Sequence, residues 1–237
     1  MKYRQGLYTK PTSQAIEQAY EEGYDAVFTS PSREVAKKAK ELGILYAPVI
    51  WVPKANDVKQ GVVNAWNETA LFAFNNSGCI MNPQLIQNTI QTIEKAIIET
   101  GAEAIIIDAL RYPSPHDQKW LFTCFCKHCQ QHMKTLGINS KELAEKIRQA
   151  TKNLHQYPHL KPEQYHALQT LTYIKQKAVE TALIQIKEHT QKLGTELWAA
   201  IFPPSIAWLV GEIIKPLTGL EISIDYKEIR KKGTGPR

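Results

Sequence analysis

The sequence predicts an α/β protein of the (β/α)8 TIM-barrel type, incomplete, with about six strand–helix units in a single domain over residues 1–237. Three observations predict it. Short apolar strands alternate with amphipathic helices and no hairpin signals intervene, which is the pattern of right-handed βαβ units around a parallel sheet. The length of 237 residues is near that of one barrel, although a full barrel usually takes roughly 250. Two long insertions follow the third and fourth strands, where barrels carry their functional loops.

Taken in order, Gly6-Leu7-Tyr8-Thr9 reads as the first strand and Thr12–Glu22 as a helix after Pro11. Tyr24–Thr29 is the second strand, and Ser30-Pro31-Ser32 opens a lysine-rich helix that Gly43 stops. Ile44–Val52 is largely apolar, as expected of a third strand covered on both faces. The rhythm then breaks in an Asn-rich stretch, Lys54–Asn82, long enough to be functional or to hold short elements of its own. Pro83–Thr100 places isoleucines at helical spacing and ends at Gly101; Ala104–Leu110 is the fourth strand. Arg111–Gly137 is the second long loop, followed by a short charged helix from Ser140 and a long helix over Glu163–Leu193. Glu196–Phe202 and Leu220–Asp225 read as strands five and six, with a helix from Pro203 between them.

The composition, 43% apolar and 22% charged, is that of a globular protein. A formal charge of +6 would suit an anionic partner, but the lysines are spread along helices and the one dense run is Lys227–Lys232. Nucleic acid is therefore a weak expectation. No apolar run reaches the roughly 20 residues of a membrane helix, and no apolar leader follows Met1, so a cytoplasmic address is expected. In that setting cysteines serve as metal ligands more often than as disulfides.

All four cysteines then fit one site. Cys124-x-Cys126-x2-Cys129 packs three thiols into one loop, and Cys79 stands in the other long loop. The two loops leave adjacent strands at the same end of the sheet and can meet. A closed four-thiolate set is a structural zinc (Zn²⁺) site, with no position for a reacting water. Iron–sulfur spacings differ from this one.

The barrel with this cysteine loop resembles the family 42 β-galactosidases. The run Asp108-Ala109-Leu110-Arg111-Tyr112-Pro113-Ser114-Pro115, with Cys124–Cys129, Gly78–Pro83 and Ile201–Ser205, is more similar still to glycosyl-hydrolase-like barrel proteins of bacteria and archaea. The resemblance implies zinc ligands at Cys79, Cys124, Cys126 and Cys129 and a carbohydrate or glycoside as ligand. It carries the catalytic residues less well. Family 42 enzymes place a glutamate after an asparagine at the end of strand four, where this chain has Asp108 followed by Ala109, and their nucleophile ends a seventh strand that this sequence lacks.

From the residues alone, Asp108 is the leading acid. It ends a triple-isoleucine strand, whose apolar surroundings would favour a protonated carboxyl, and it shares a strand face with Ile106. Asp225 ends the sixth strand and is the expected second carboxylate of a glycosidase pair. Arg111, Tyr112, Trp51 and Tyr226 are the expected substrate-binding groups; as a structural pair, Arg111 and Tyr112 could equally tie the zinc loop to the barrel. Two functions follow: hydrolysis of a glycosidic bond, or carbohydrate binding by a non-catalytic barrel that has lost its nucleophile strand. An open sheet edge also suggests a homo-oligomer or a partner chain that covers it.

Overall fold

The computed structural model describes residues 5–51, 54–72, 76–108, 110–113, 118–152 and 160–200. The expected helix from Pro203, the sixth strand Leu220–Asp225 and the basic run Lys227–Lys232 lie outside the described residues. The elements are β1 (Gly6–Tyr8), α1 (Ser13–Glu21), β2 (Ala26–Thr29), α2 (Arg33–Leu42), β3 (Leu45–Trp51), β4 (Val62–Val63), β5 (Thr69–Ala70), α3 (Pro83–Thr100), β6 (Ala104–Asp108), α4 (Lys127–Thr135), α5 (Ser140–Lys152), α6 (Pro162–Lys192) and β7 (Glu196–Ala199). Polar caps start the helices. The side chains of Thr12, Ser32 and Asn82 accept backbone N–H bonds in the first turns of α1, α2 and α3. Gly43 and Gly101 end α2 and α3 in the left-handed conformation.

The main sheet has five parallel strands in the order β1-β2-β3-β6-β7. Among the described residues it is an α/β, TIM-barrel-like sheet that does not close, with β1 and β7 at its edges. Alternate residues face outward to the helices. Leu7, Val27 and Tyr46 meet α1 and α2, while Ile50, Ile105, Ile107 and Leu197 meet α3 and the later half of α6. The opposite parity faces inward, where Ala47, Val49, Ala104 and Ile106 form a floor of small and medium side chains.

Over that floor, Phe28 of β2 and Trp198 of β7 touch edge to face, with ring centroids 5.9 Å apart. Three inter-strand spacings separate those strands, about 14 Å if the sheet were flat. The contact therefore requires a strongly curved sheet with its concave face inward. Tyr8 adds a third ring, 5.4 Å from Phe28. Gly6 makes room for it, because any Cβ there would overlap the Phe28 ring.

A second core lies beside the sheet, built by α4, α5 and the early half of α6 around Phe125, Met133, Leu143, Ile147, Leu168 and Leu171. The 31-residue α6 belongs to both cores. The expected loop Arg111–Gly137 thus contains a 3-10 turn (Gln118–Phe122) and α4. Cys129 and Met133 form the buried face of α4, and reading the cysteines as loop ligands concealed that helical spacing. Among the described residues, no helix is long and apolar enough to cross a membrane.

Candidate functional site

The two long loops are joined by backbone hydrogen bonds. β4 and β5 form a small antiparallel hairpin whose turn is held by Asn64; its side-chain oxygen accepts from the amides of Trp66 and Glu68, both at 3.0 Å. The hairpin then pairs with the segment before α4. The Ala65 amide donates to the Phe122 carbonyl at 3.0 Å, and the Phe125 amide to the Val63 carbonyl at 2.7 Å. Cys124 lies in that pairing, and the Val63 amide points at its sulfur at 3.4 Å. Cys79 is anchored separately, its amide donating to the Gln60 carbonyl at 2.9 Å.

These backbone bonds bring all four cysteines together, their sulfurs within 4.8 Å of one another. Cys79 Sγ stands 3.4 Å from Cys129 Sγ, 3.6 Å from Cys124 Sγ and 3.4 Å from Cys126 Sγ. A regular tetrahedron with metal–sulfur bonds of 2.3 Å has edges of about 3.8 Å. The cluster is therefore close to the size that a metal ion held by four thiolates requires, and the donor set is that of a thiophilic ion. Three of the thiols are buried and Cys126 is partly exposed. Cys126 is held far below the ordinary thiol range, first by its hydrogen bond with Cys124 and then by those with Cys129 and Cys79. Cys79 and Cys129 are pushed up, chiefly by their contacts with Cys124 and Cys126.

Tyr112 lies against this cluster. It is 1% exposed, with its hydroxyl 3.7 Å from Cys129 Sγ. Burial first, and the charge on Cys129 next, push its phenol well above the ordinary value, so it keeps its proton. Arg111 turns back on its neighbour, Nη1 donating to the Tyr112 carbonyl at 3.1 Å.

The remaining expected residues divide between the concave face and the undescribed region. Asp108 ends β6, partly buried, and pairs in register with Trp51 at the end of β3. Both are two residues on from the floor positions Ile106 and Val49, so both face the concavity. Trp51 is 45% exposed and Tyr8 is 55% exposed. Tyr8 ends β1 on the same face, and its phenol is raised by burial first and then by the Asp108 charge. The curvature thus brings the first and fourth strands of the sheet into electrostatic contact. Asp225 and Tyr226 lie outside the described residues.

Sequence reasoning missed Tyr8, Phe28 and Trp198 on the concave face. The signal was available in the strand parity, which puts each in step with the inward-facing positions of its strand. A cleft of about 510 Å³ also opens between α5 and α6, lined by Glu142, Lys146, His166 and Tyr173 among others; no sheet residue lines it.

No protein-family model matches the chain, and no curated protein matches it. Solved structures do match its fold. The glycoside hydrolase domain of PgaB (BpsB) from Bordetella bronchiseptica superposes with a TM-score of 0.61 at 7% identity, over 98% of this chain and 72% of that one. The cold-adapted β-galactosidase from Rahnella sp. R3 gives 0.58 at 10% identity, over 98% of this chain and 38% of that one. The β-galactosidase from the psychrophilic Marinomonas ef1 gives 0.51 at 8% identity, over 83% and 37%. The chain spans well under half the length of either galactosidase. At such identities the likeness is one of fold alone, that of an α/β barrel.

Proposed function

We propose that this chain is a glycoside-hydrolase-like domain that holds a carbohydrate on the concave face of its sheet. The observation that carries the reading is the pair of exposed aromatic rings, Tyr8 and Trp51, set beside Asp108 at the C-terminal ends of the strands. Sugar rings present apolar C–H faces that stack on such side chains, while their hydroxyls need polar partners at the edge. Barrel enzymes of many chemistries use this same end of the sheet.

In the hydrolytic form of this reading, Asp108 protonates the leaving glycosidic oxygen and a second carboxylate, Asp225, acts as base or nucleophile. The four cysteines Cys79, Cys124, Cys126 and Cys129 hold Zn²⁺, which supplies structure by cross-linking the two loops and takes no part in bond cleavage. A second reading has its own support. The carry-over carboxylate positions of the resembled galactosidases are altered in this chain, with Asp108 followed by Ala109 where they have a glutamate after an asparagine, which fits a barrel that binds carbohydrate without cleaving it.

The two forms are separated by one set of measurements. Tryptophan fluorescence quenching with oligosaccharides of varied linkage reads binding, and release of nitrophenol from a panel of aryl glycosides reads turnover. Turnover abolished by Asp108→Asn, with binding retained, supports the hydrolase; binding without turnover in the unaltered protein supports the carbohydrate-binding barrel. If Trp51→Ala and Tyr8→Ala leave every binding curve unchanged, the concave face is not the site.

A further inference from the structure

Four thiolates around a divalent ion carry a net charge of −2, and here three of the four cysteines are buried within the sheet core. Uncompensated charge in such a place is strongly disfavoured. Three groups among the described residues lie towards it. The Val63 amide donates to Cys124 Sγ, 3.4 Å away. The Tyr112 hydroxyl lies 3.7 Å from Cys129 Sγ. Behind Tyr112, the Lys175 ammonium stands 5.6 Å from the centre of the phenol ring.

Lys175 is the unusual member. It is 0% exposed, on a helix whose other lysines could reach solvent. Its position on α6 falls between Ile174, which packs into the helical core, and Ala178, which packs into the sheet core. Its Nζ donates to the Leu121 carbonyl at 2.6 Å, three residues before the ligand Cys124. Lysine is among the residues least often buried, and here the ammonium meets the phenol ring whose hydroxyl meets the thiol cluster.

We infer that Tyr112 and Lys175 form the outer shell of the four-cysteine centre and set its affinity for a thiophilic divalent metal. The hydroxyl donates to the Cys129 thiolate and fixes its direction. The ammonium lies against the face of the phenol and against the backbone that carries Cys124, and it offsets part of the negative charge. Outer-shell partners of this kind typically account for about 10–100-fold in metal affinity. The inference rests on the reading of the cluster as a metal site, and the experiment separates the two.

The test is competition for Zn²⁺ and Co²⁺ against a chromophoric chelator, on the full chain and on Tyr112→Phe, Lys175→Met and the double variant. Urea unfolding of each metal-free protein runs in parallel. Tyr112→Phe removes one oxygen and leaves the ring, so it is the variant expected to fold. The expected result is affinity weakened by about 10–100-fold in Tyr112→Phe, with metal-free stability changed far less. Because Lys175 acts partly through the phenol, the double variant should lose less than the product of the single effects. Unchanged affinity in Tyr112→Phe overturns the inference, whatever becomes of Lys175→Met. Failure of the unaltered protein to bind either ion overturns the metal reading, and the inference falls with it.

Discussion

Gly78→Ala should damage the four-cysteine cluster, and the proposed metal binding with it, without touching a cysteine. A Cβ at position 78 would lie 2.6 Å from the Gln60 carbonyl oxygen, 2.6 Å from Leu85 Cδ1 and 3.0 Å from Ala55 Cβ. Leu85 could rotate, but the Gln60 carbonyl is backbone and already accepts the Cys79 amide at 2.9 Å. Restoring an ordinary contact of about 3.4 Å requires the two strands of loop to separate by about 0.8 Å. That opening stretches the hydrogen bond anchoring Cys79, which is worth roughly 1 kcal/mol, and overpacking adds about 1–3 kcal/mol. The displacement also exceeds the roughly 0.2 Å within which metal–ligand distances are held. The expected outcome is a lower urea midpoint for the metal-free protein and, in chelator competition, a zinc affinity weaker by about tenfold or more. Gly101→Ala is the control, since it strains a left-handed residue (φ +64) with nothing within 4 Å of the new carbon; it should cost about 1–2 kcal/mol of stability and leave zinc affinity unchanged. Wild-type zinc affinity in Gly78→Ala would refute the account of how Cys79 is positioned.

Three further outcomes follow from the same structure. Zinc at about a thousand times its dissociation constant should raise the unfolding free energy by roughly 4 kcal/mol, and Cys129→Ser should abolish that dependence in urea melts read with and without metal. Phe28→Ala removes the ring between Tyr8 and Trp198; as Phe28 is only partly buried, the cost should be about 2 kcal/mol, under the 3–5 kcal/mol of a fully buried ring, and an unchanged urea midpoint would show that the arch carries no weight. Asp108→Asn should bring the raised Tyr8 phenol part of the way down, as followed by ultraviolet absorbance against pH, because burial remains and the neighbouring charge is gone. For an acid raised in the folded state, the unfolded chain loses its proton first, so stability falls as pH climbs from the unfolded value, about 10, towards the folded one; Asp108→Asn should narrow that alkaline window.

The sequence revealed what local chemistry punctuates. Asn82-Pro83 and Gly101 mark both ends of α3, which runs over Pro83–Thr100 as expected. Alternation along Ile105-Ile106-Ile107-Asp108 separated the two faces of the strand as observed, and thiol counting brought Cys79 to the other three cysteines across 45 residues of chain. What stayed hidden depends on tertiary curvature or helix phase. Tyr8 and Phe28 are partners on neighbouring strands, but Trp198 comes from the far edge strand, and only the rolling of the sheet brings its ring to theirs. Nothing local distinguishes Lys175 from Lys177, which lies near Tyr173 and pairs with Glu180; two positions along a helix reverse solvent and interior. The sequence left Tyr112 open to two roles beside Arg111, and nothing local signals that its ring is buried against Cys129.

The long helix α6 has a consequence for how the chain comes apart. Its 31 residues span about 46 Å at 1.5 Å per residue, and its two halves are rooted in different cores. Neither core can be lost without freeing half of a helix whose other half is still clamped, and the severed turn would expose the buried ammonium of Lys175 at the junction. Sheet and helical lobe should therefore open as a single cooperative foldon. Amide protons along α6 should then exchange by one shared opening event, at one common free energy, with no step midway along the rod.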